Sequence, residues 1–314
     1  RLKPQQISDM ISKGDKNTHM ELLSKIPHKL SAEHINAMFD AHNNELNAQL
    51  IEHTPNKLEP HHIYDMISKG DRNTHAELIS KIPDKLDSDH INALVDGTGL
   101  ESNRKLIQNH PDKLSSDNIS TLIGKSHPLI NQDIVEHLGN KLESHHISDI
   151  INKDSESTHK LLLDRIPHKM DDTNINDLIN NGNTSTHLRL MSKLHDKLNS
   201  THIDNLINKG NADVRYTVLS RFKNNLEPHQ EASLLLAHPH RLEPKHINTL
   251  LSDNKNIHLL NKAYPKMSED SKKELISQAK LSKDNNDTKW MDLTNTHKHL
   301  NIDKFDKAKQ DVYE

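Results

Sequence analysis

Apolar residues recur along the chain with a period of 28 residues. Leu2, Leu30, Leu58, Leu86, Leu114, Leu142, Met170 and Leu198 stand one period apart, and Leu226 keeps the phase. Self-similarity at a fixed period of this size marks a repeat architecture, in which each unit is too small to bury its own apolar face and is covered by its neighbours. Eight such repeats fill residues 2–225. The clearest pair is LKPQQISDMISKGDKNTHMELLSKIPHK from Leu2 and LEPHHIYDMISKGDRNTHAELISKIPDK from Leu58, two repeats apart, which points to duplication of a 56-residue pair.

Each repeat, numbered here by position 1 to 28, reads as two short helices. Position 2 often offers Ser, Asp or Asn, and position 3 is Pro in three of the first nine repeats, which is N-cap chemistry followed by a residue pre-set for the first helical turn. Apolar positions 6, 9 and 10 follow, as in Ile63, Met66 and Ile67, before a polar turn that is often Lys-Gly or Asn-Gly. The second helix carries apolar residues at positions 21, 22 and 25, as in Leu78, Ile79 and Ile82. Pro27, Pro55, Pro83, Pro111 and Pro167 close it at position 26. Helices of about ten residues are marginal alone in water, where ~12 to 15 are needed, so stacking must stabilise them. The predicted fold is all-α, a right-handed α-solenoid of about ten stacked helical hairpins with a 28-residue period. At a helix spacing of ~8 to 10 Å, eight hairpins would extend roughly 80 Å.

The phase breaks after Asn225. The next segment, LEPHQEASLLLAHPHR from Leu226, has 16 residues instead of 28 and predicts that the two helices fuse into one ending near Pro239. An imperfect repeat runs from Leu242 to Pro265, so residues 226–266 are read as shortened and imperfect repeats. Residues 267–314 are read as a C-terminal cap, with a capping helix over Ser268 to Lys280. The remainder, with Trp290, Phe305 and Tyr313, is open between a late helix and a mobile tail.

Composition narrows the function classes. Only 32% of residues are hydrophobic and 3% aromatic, which excludes a thick aromatic core, and the lack of cysteine removes disulfides, thiolate metal sites and thiol nucleophiles. No apolar run approaches the ~18 residues of a membrane helix. The net charge of -4, from 41 basic and 45 acidic residues, differs from that of a strongly basic nucleic-acid binder. The start at Arg1, without Met or a leader, reads as a fragment of a larger polypeptide, soluble, monomeric, and cytoplasmic or secreted.

Three polar rows run through the repeats. Position 18 shares a helical stripe with positions 21, 22 and 25, yet holds His19, Asn47, His75, Asn103, Asn131, His159, His187 and Arg215. Unpaired buried polar groups cost roughly 1 to 3 kcal/mol each, so this structural ladder is expected to bond either to the free carbonyls ending the first helix or to the same rung in the next repeat. Position 5 holds His34, His62, His90, Asn118, His146, Asn174 and His202, expected at the edge of the first helix. If the ladder histidines are buried neutral, stability should fall between about pH 6 and 5. Equivalent rungs lie a helix diameter apart, whereas zinc needs several ligands at ~2.0 to 2.2 Å, so no metal site is expected among the 26 histidines. His61-His62, His145-His146, His238 with His240, and His297 with His299 are local pairs only.

Basic rows supply the binding candidates. Lys29, Lys57, Lys85, Lys113, Lys141, Lys169 and Lys197 fill position 28; this row and the one at position 24 read either as a stripe for an acidic partner or phosphate backbone, or as local electrostatics at the end of the second helix, with acids such as Glu59 or Asp87 two residues after the lysine. Position 24 holds Lys25, His53, Lys81, His137, Arg165, Lys193 and Arg221. Position 20 is read as exposed and varies freely, with Glu21, Gln49, Glu77, Lys105, Asp133, Leu161, Arg189 and Thr217. The partner-binding candidates are Lys25, Lys81, Arg165, Lys193, Arg221, Lys105 and Arg189. No phosphate-binding glycine loop, GxSxG elbow or HExxH motif is present, so neither catalysis nor a cofactor is expected.

The segment NADVRYTVLSRF from Asn211 resembles the second helix of HEAT-like repeats and their leucine-rich variant, matching an Asp-x-Val-Arg stretch at Asp213, Val214 and Arg215. Thr-His replaces Val-Arg at Thr18, Thr74, Thr158 and Thr186, and the cysteine-bound iron-sulfur module is absent. The resemblance, over residues 2–266, implies a superhelical scaffold that binds protein, peptide or nucleic acid. The segment LEPHHIYDMISKG from Leu58 also looks like the start of transcription-activator-like effector repeats, with pairs such as Lys13-Gly14, Ala41-His42 and Lys69-Gly70 in place of the base-reading dipeptide. That likeness implies sequence reading of DNA, but the repeats are shorter, the Gly-Gly-Lys-Gln that should follow is missing, and Asp15, Asp71, Glu156 and Asp213 stand where phosphate would pass. The expected function is a non-enzymatic scaffold holding a protein or peptide along an extended groove, with the DNA reader as the alternative and a structural spacer as a third class.

Overall fold

The computed structural model describes residues 2–285; the expectations for residues 286–314, Trp290, Phe305, Tyr313, His297 and His299 among them, lie outside the described residues. The described residues are helical throughout, without strands. The first four repeats contribute the pairs α1 (Pro4–Lys13) and α2 (Lys16–Lys25), α3 (Ala32–Met38) and α4 (Asn44–His53), α5 (Pro60–Lys69) and α6 (Arg72–Lys81), and α7 (Ser88–Gly97) and α8 (Leu100–Asn109). The next four contribute α9 (Ser116–Gly124) and α10 (Pro128–Leu138), α11 (Ser144–Lys153) and α12 (Glu156–Arg165), α13 (Asp172–Asn181) and α14 (Thr184–Lys193), and α15 (Ser200–Lys209) and α16 (Ala212–Arg221). Then come α17 (Pro228–Leu235), α18 (Pro244–Leu251), α19 (Lys255–Ala263) and α20 (Glu269–Asp284).

The chain is an all-α solenoid whose helices pack in series, in two compact bodies, Arg1–Asp177 and Leu178–Glu314, divided within α13. In the first body, second helices stack on second helices from α2 through α4, α6, α8 and α10 to α12, while α1 packs on α3 and α5, α7, α9 and α11 stack in turn. In the second body α14 packs on α16, α15 on α17, α17 on α18, and α18 on α20. The seams are apolar: Ile63, Met66, Leu78 and Ile79 are at most 1% exposed, as are Ile147, Ile150, Leu162 and Leu163. Met10 and Leu2 of the first repeat are 37% and 40% exposed, whereas their equivalents Met66 and Leu58 are 0% and 4% exposed.

Local chemistry starts and stops each helix. Asp15, Asp71, Asn183 and Asn211 cap the second helices by accepting from the backbone N–H of Thr18, Thr74, Thr186 and Val214 at 2.8 to 3.1 Å. A short 3₁₀ turn follows each full second helix, as at Pro27–Lys29 and Pro83–Lys85, and returns the chain to the next repeat. Position 25, expected inside the second helix, is instead its C-cap: Ile26, Ile82 and Ile166 have left helical geometry, with φ of -131 to -136°, and still pack inward.

Gly14, Gly70, Gly182 and Gly210 join the two helices with ordinary negative φ; what they need is space. A Cβ on Gly70 would sit 2.2 Å from the Met66 carbonyl and 2.9 Å from the Thr74 methyl. Thr98 and Asp154 fill this position with a more extended backbone, φ of -102° and -117° against -73° at Gly70, and Ser126 fills it with a positive φ of 53°. Gly70→Ala is therefore expected to cost about 1 kcal/mol as the turn opens, measurable as a lower denaturant midpoint.

The ninth repeat departs from the expected helix fusion. Its α17 stops at Leu235, a turn follows, and the closing 3₁₀ segment Pro239–Arg241 comes directly after. The segment missing from the sequence is the one that builds a second helix. At the C-terminal side α20 covers α18, and Ser271 Oγ donates to the Leu242 carbonyl at 2.5 Å.

Candidate functional site

The position 18 ladder closes the first helix of its own repeat. His19, His75, His159 and His187 place Nε2 at 2.9 to 3.0 Å from the carbonyl oxygens of Ile11, Ile67, Ile151 and Ile179, the last buried residues of the first helices. A carbonyl only accepts, so each Nε2 carries the proton. Asn47 and Asn103 donate Nδ2 to the Ala41 and Thr98 carbonyls at 3.2 and 3.3 Å, and Asn131 is buried at the same rung. Arg215 differs from the inward expectation: the residue is exposed, although its Nε donates to the Ile207 carbonyl at 2.9 Å.

Position 5 is not at the edge of the first helix but buried, and it links repeats. Nδ1 of His34, His62, His90, His146 and His202 accepts the N-cap backbone N–H three residues earlier at 3.0 to 3.2 Å, the role usually held by Glu or Gln in a capping box. The opposite side reaches the preceding repeat: His90 Nε2 donates to the Pro60 carbonyl at 2.9 Å, and His146 Nε2 lies 3.0 Å from Ser120 Oγ and 3.2 Å from the Ser116 carbonyl. Asn174 does the same through Nδ2, to the Ser144 carbonyl at 3.0 Å and Ser148 Oγ at 2.9 Å. Burial holds the imidazoles of His62 and His146 below their ordinary pKa, and the adjacent His61 and His145 push in the same direction. His187 is also lowered by burial, against its bond to the Ile179 carbonyl.

The position 28 lysines meet carbonyls rather than the acids expected two residues on. Lys57 Nζ donates to the Pro27 carbonyl at 2.8 Å and to that of Leu30, Lys85 to Leu58 at 3.0 Å, and Lys113 to Leu86 at 3.1 Å. Lys141 reaches three carbonyls, of Pro111, Asp112 and Leu114, at 2.8 to 3.1 Å. The frame thus consumes the row from Lys57 to Lys169. Lys57→Met should lower stability by about 1 kcal/mol in chemical denaturation, since a charge-assisted bond is lost while the aliphatic stem is kept.

At position 24, Lys25, His53, Lys81, His137, Arg165, Lys193 and Arg221 are all exposed. Lys25 lies 3.5 Å from Glu21 and Lys81 2.6 Å from Glu52, Lys193 is engaged within the fold, and Arg165 and Arg221 form no ion pair among the described residues. Position 20 is not the free surface expected. Lys105 and Arg189 are half-buried, and Asp133 is buried at 5% exposure. Its carboxylate accepts from Arg104 Nε at 2.5 Å and Nη2 at 3.3 Å, and from Gln108 at 3.1 Å, across the α8–α10 seam. Sequence reasoning missed this pair, although an Arg at position 19 followed one repeat later by an Asp at position 20 was its available signal.

The rings of His61 and His62 lie 4.0 Å apart, those of His145 and His146 3.9 Å, and those of His238 and His240 6.3 Å. Asp133, Glu136 and His137 bring ligand atoms within 4.8 Å of one another, but Asp133 is already committed to Arg104 and Gln108. Among the described residues no helix is long and apolar enough to cross a membrane. No protein-family model, curated protein or solved structure matches the chain.

Proposed function

We propose that the chain is a non-enzymatic repeat scaffold that binds a protein or peptide along the exposed ends of its second helices. The observation that supports it best is the contrast between two basic rows on one frame. The position 28 lysines from Lys57 to Lys169 are occupied by backbone carbonyls, whereas position 24 keeps an exposed and mostly cationic residue, of which Arg165 and Arg221 form no ion pair among the described residues. Such a row can meet an acidic surface, and the half-buried residues beside it at position 20, from Lys105 to Leu161 to Arg189, differ enough to distinguish partners. The likeness of Asp213, Val214 and Arg215 to HEAT-like units points the same way.

The DNA-reading alternative is less favoured. In this frame Asp15 and Asp71 are N-caps whose carboxylates their hydrogen bonds to Thr18 and Thr74 hold below the usual pKa, keeping negative charge beside the turn where a phosphate backbone would run. Charge reversal tests both readings. The variant K105E/R165E/R221E should keep the wild-type melting temperature, because these residues bond to nothing the fold requires, and should lose specific partner capture at least tenfold. Retention of the partner by the variant would overturn the scaffold reading. Tight, salt-sensitive retardation of random duplex DNA by the wild type would favour the alternative.

A further inference from the structure

We propose that the notch left by the missing second helix of the ninth repeat binds a small ligand through a carboxylate group. A cavity of about 320 Å³ opens there, within the range of small-molecule sites. Tyr216, Leu219 and Ser220 of α16, Glu231 and Leu235 of α17, and His246 at the start of α18 form its walls, and Lys223, Arg241, Glu243 and Lys245 stand around it.

The first observation is an orphaned donor. His246 is 3% exposed, and its Nδ1 accepts the Glu243 backbone N–H at 2.9 Å, so the proton is on Nε2. At several earlier rungs, though not at all of them, the equivalent atom finds an acceptor in the repeat before: Ser8 Oγ for His34, the Pro60 carbonyl for His90, and the Ser200 carbonyl and Asp204 for Gln230. The ninth repeat places Ala232 where Ser8 and Asp204 stand, and His246 Nε2 is buried without a hydrogen bond. Glu231 Oε2 lies 3.5 Å away and does not complete one.

The second observation is unspent positive charge. Arg241 occupies position 28, where lysines elsewhere are held by carbonyls, and Lys223 occupies the position of the closing proline; neither forms an ion pair or side-chain hydrogen bond among the described residues, although Lys223 is near enough to Glu243 to help hold its pKa down. Lys245 is paired with Glu243 at 3.1 Å. An acceptor oxygen seated at His246 Nε2 would therefore have two flexible cations to neutralise it. Glu231 and Glu243 limit the incoming charge and favour a monoanionic carboxylate over a phosphate dianion.

The test is a titration of the full chain, labelled at histidine nitrogens, with sodium acetate, inorganic phosphate and sodium chloride at constant alkaline pH. The His246 ring signal is assigned by its loss in H246Q, whose glutamine keeps the cap as Gln230 does. Acetate should shift this signal saturably in the millimolar range, phosphate more weakly and chloride not at all. The K223Q/R241Q variant, altered only at exposed side chains, should bind acetate at least tenfold more weakly with an unchanged melting temperature. No saturable acetate shift, or an equal shift in the double variant, would overturn the site; tighter binding of phosphate would overturn its assignment to carboxylates.

Discussion

The melting temperature is expected to stay level from alkaline pH down to about 6.5 and then to fall steadily as the solution is acidified toward pH 5. Burial holds the folded pKa of His62, His146 and His187 below its ordinary value. For a group lowered in this way the contribution to stability is present in full above the unfolded pKa. It drains away as pH drops, because the unfolded chain takes up protons first, and the loss levels off only below the folded value. Every proton that the unfolded chain binds and a buried imidazole does not take up lowers stability, so the three residues act in the same direction. Geometry gives the reason at position 5: Nδ1 of His62 and His146 faces a backbone N–H, so a second ring proton would set donor against donor. The replacement H62N/H146N/H187N is the discriminating variant, since Asn174 and Asn103 already serve at the same two positions. It should fold and show a flatter pH profile. A profile as steep as that of the wild type would place the dependence on other groups.

The hairpin frame was legible because one hydrophobic period, proline punctuation and N-cap residues all repeat in register. The bonding of position 18 was open to reasoning for a related reason: eight polar residues on an apolar stripe demand partners, and helix-end carbonyls are the nearest free acceptors. What escaped depends on spacing between repeats. Position 5 looks like a helix edge until the N-cap turn folds its side chain back and the preceding repeat covers it, as Ser116 and Ser120 cover His146. Lys57 has an acid, Glu59, two residues on, yet the 3₁₀ turn aims its ammonium at carbonyls of the previous turn. The short ninth repeat was read by length alone, and length cannot distinguish a fused helix from a deleted one. Gln230 makes the distinction in space, because it repeats the position 5 bonds to Ser200 and so marks α17 as an ordinary first helix.

Arg104→Ala is expected to destabilise the protein by about 2 kcal/mol, much more than loss of an exposed surface charge. The carboxylate of Asp133 is buried between α8 and α10 and depends on Arg104 for two of its bonds and on Gln108 for the third. Removing the arginine leaves an ionised group away from water with one neutral donor, and Glu136 nearby adds like charge. The guanidinium itself reaches solvent, with 35% of its side chain exposed, which keeps the penalty below that of a fully buried pair. The double replacement R104L/D133L removes both charges and fills the seam with apolar volume, so it should be nearly as stable as the wild type. Chemical denaturation of the two single variants and the double variant closes the cycle. If the double variant were as unstable as Arg104→Ala, shape rather than charge would hold the two helices together. If both were neutral, the pair would instead contribute no more than a solvent-exposed ion pair, and the registry of α8 against α10 would rest on Leu106, Ile107, Ile130 and Ile134 alone.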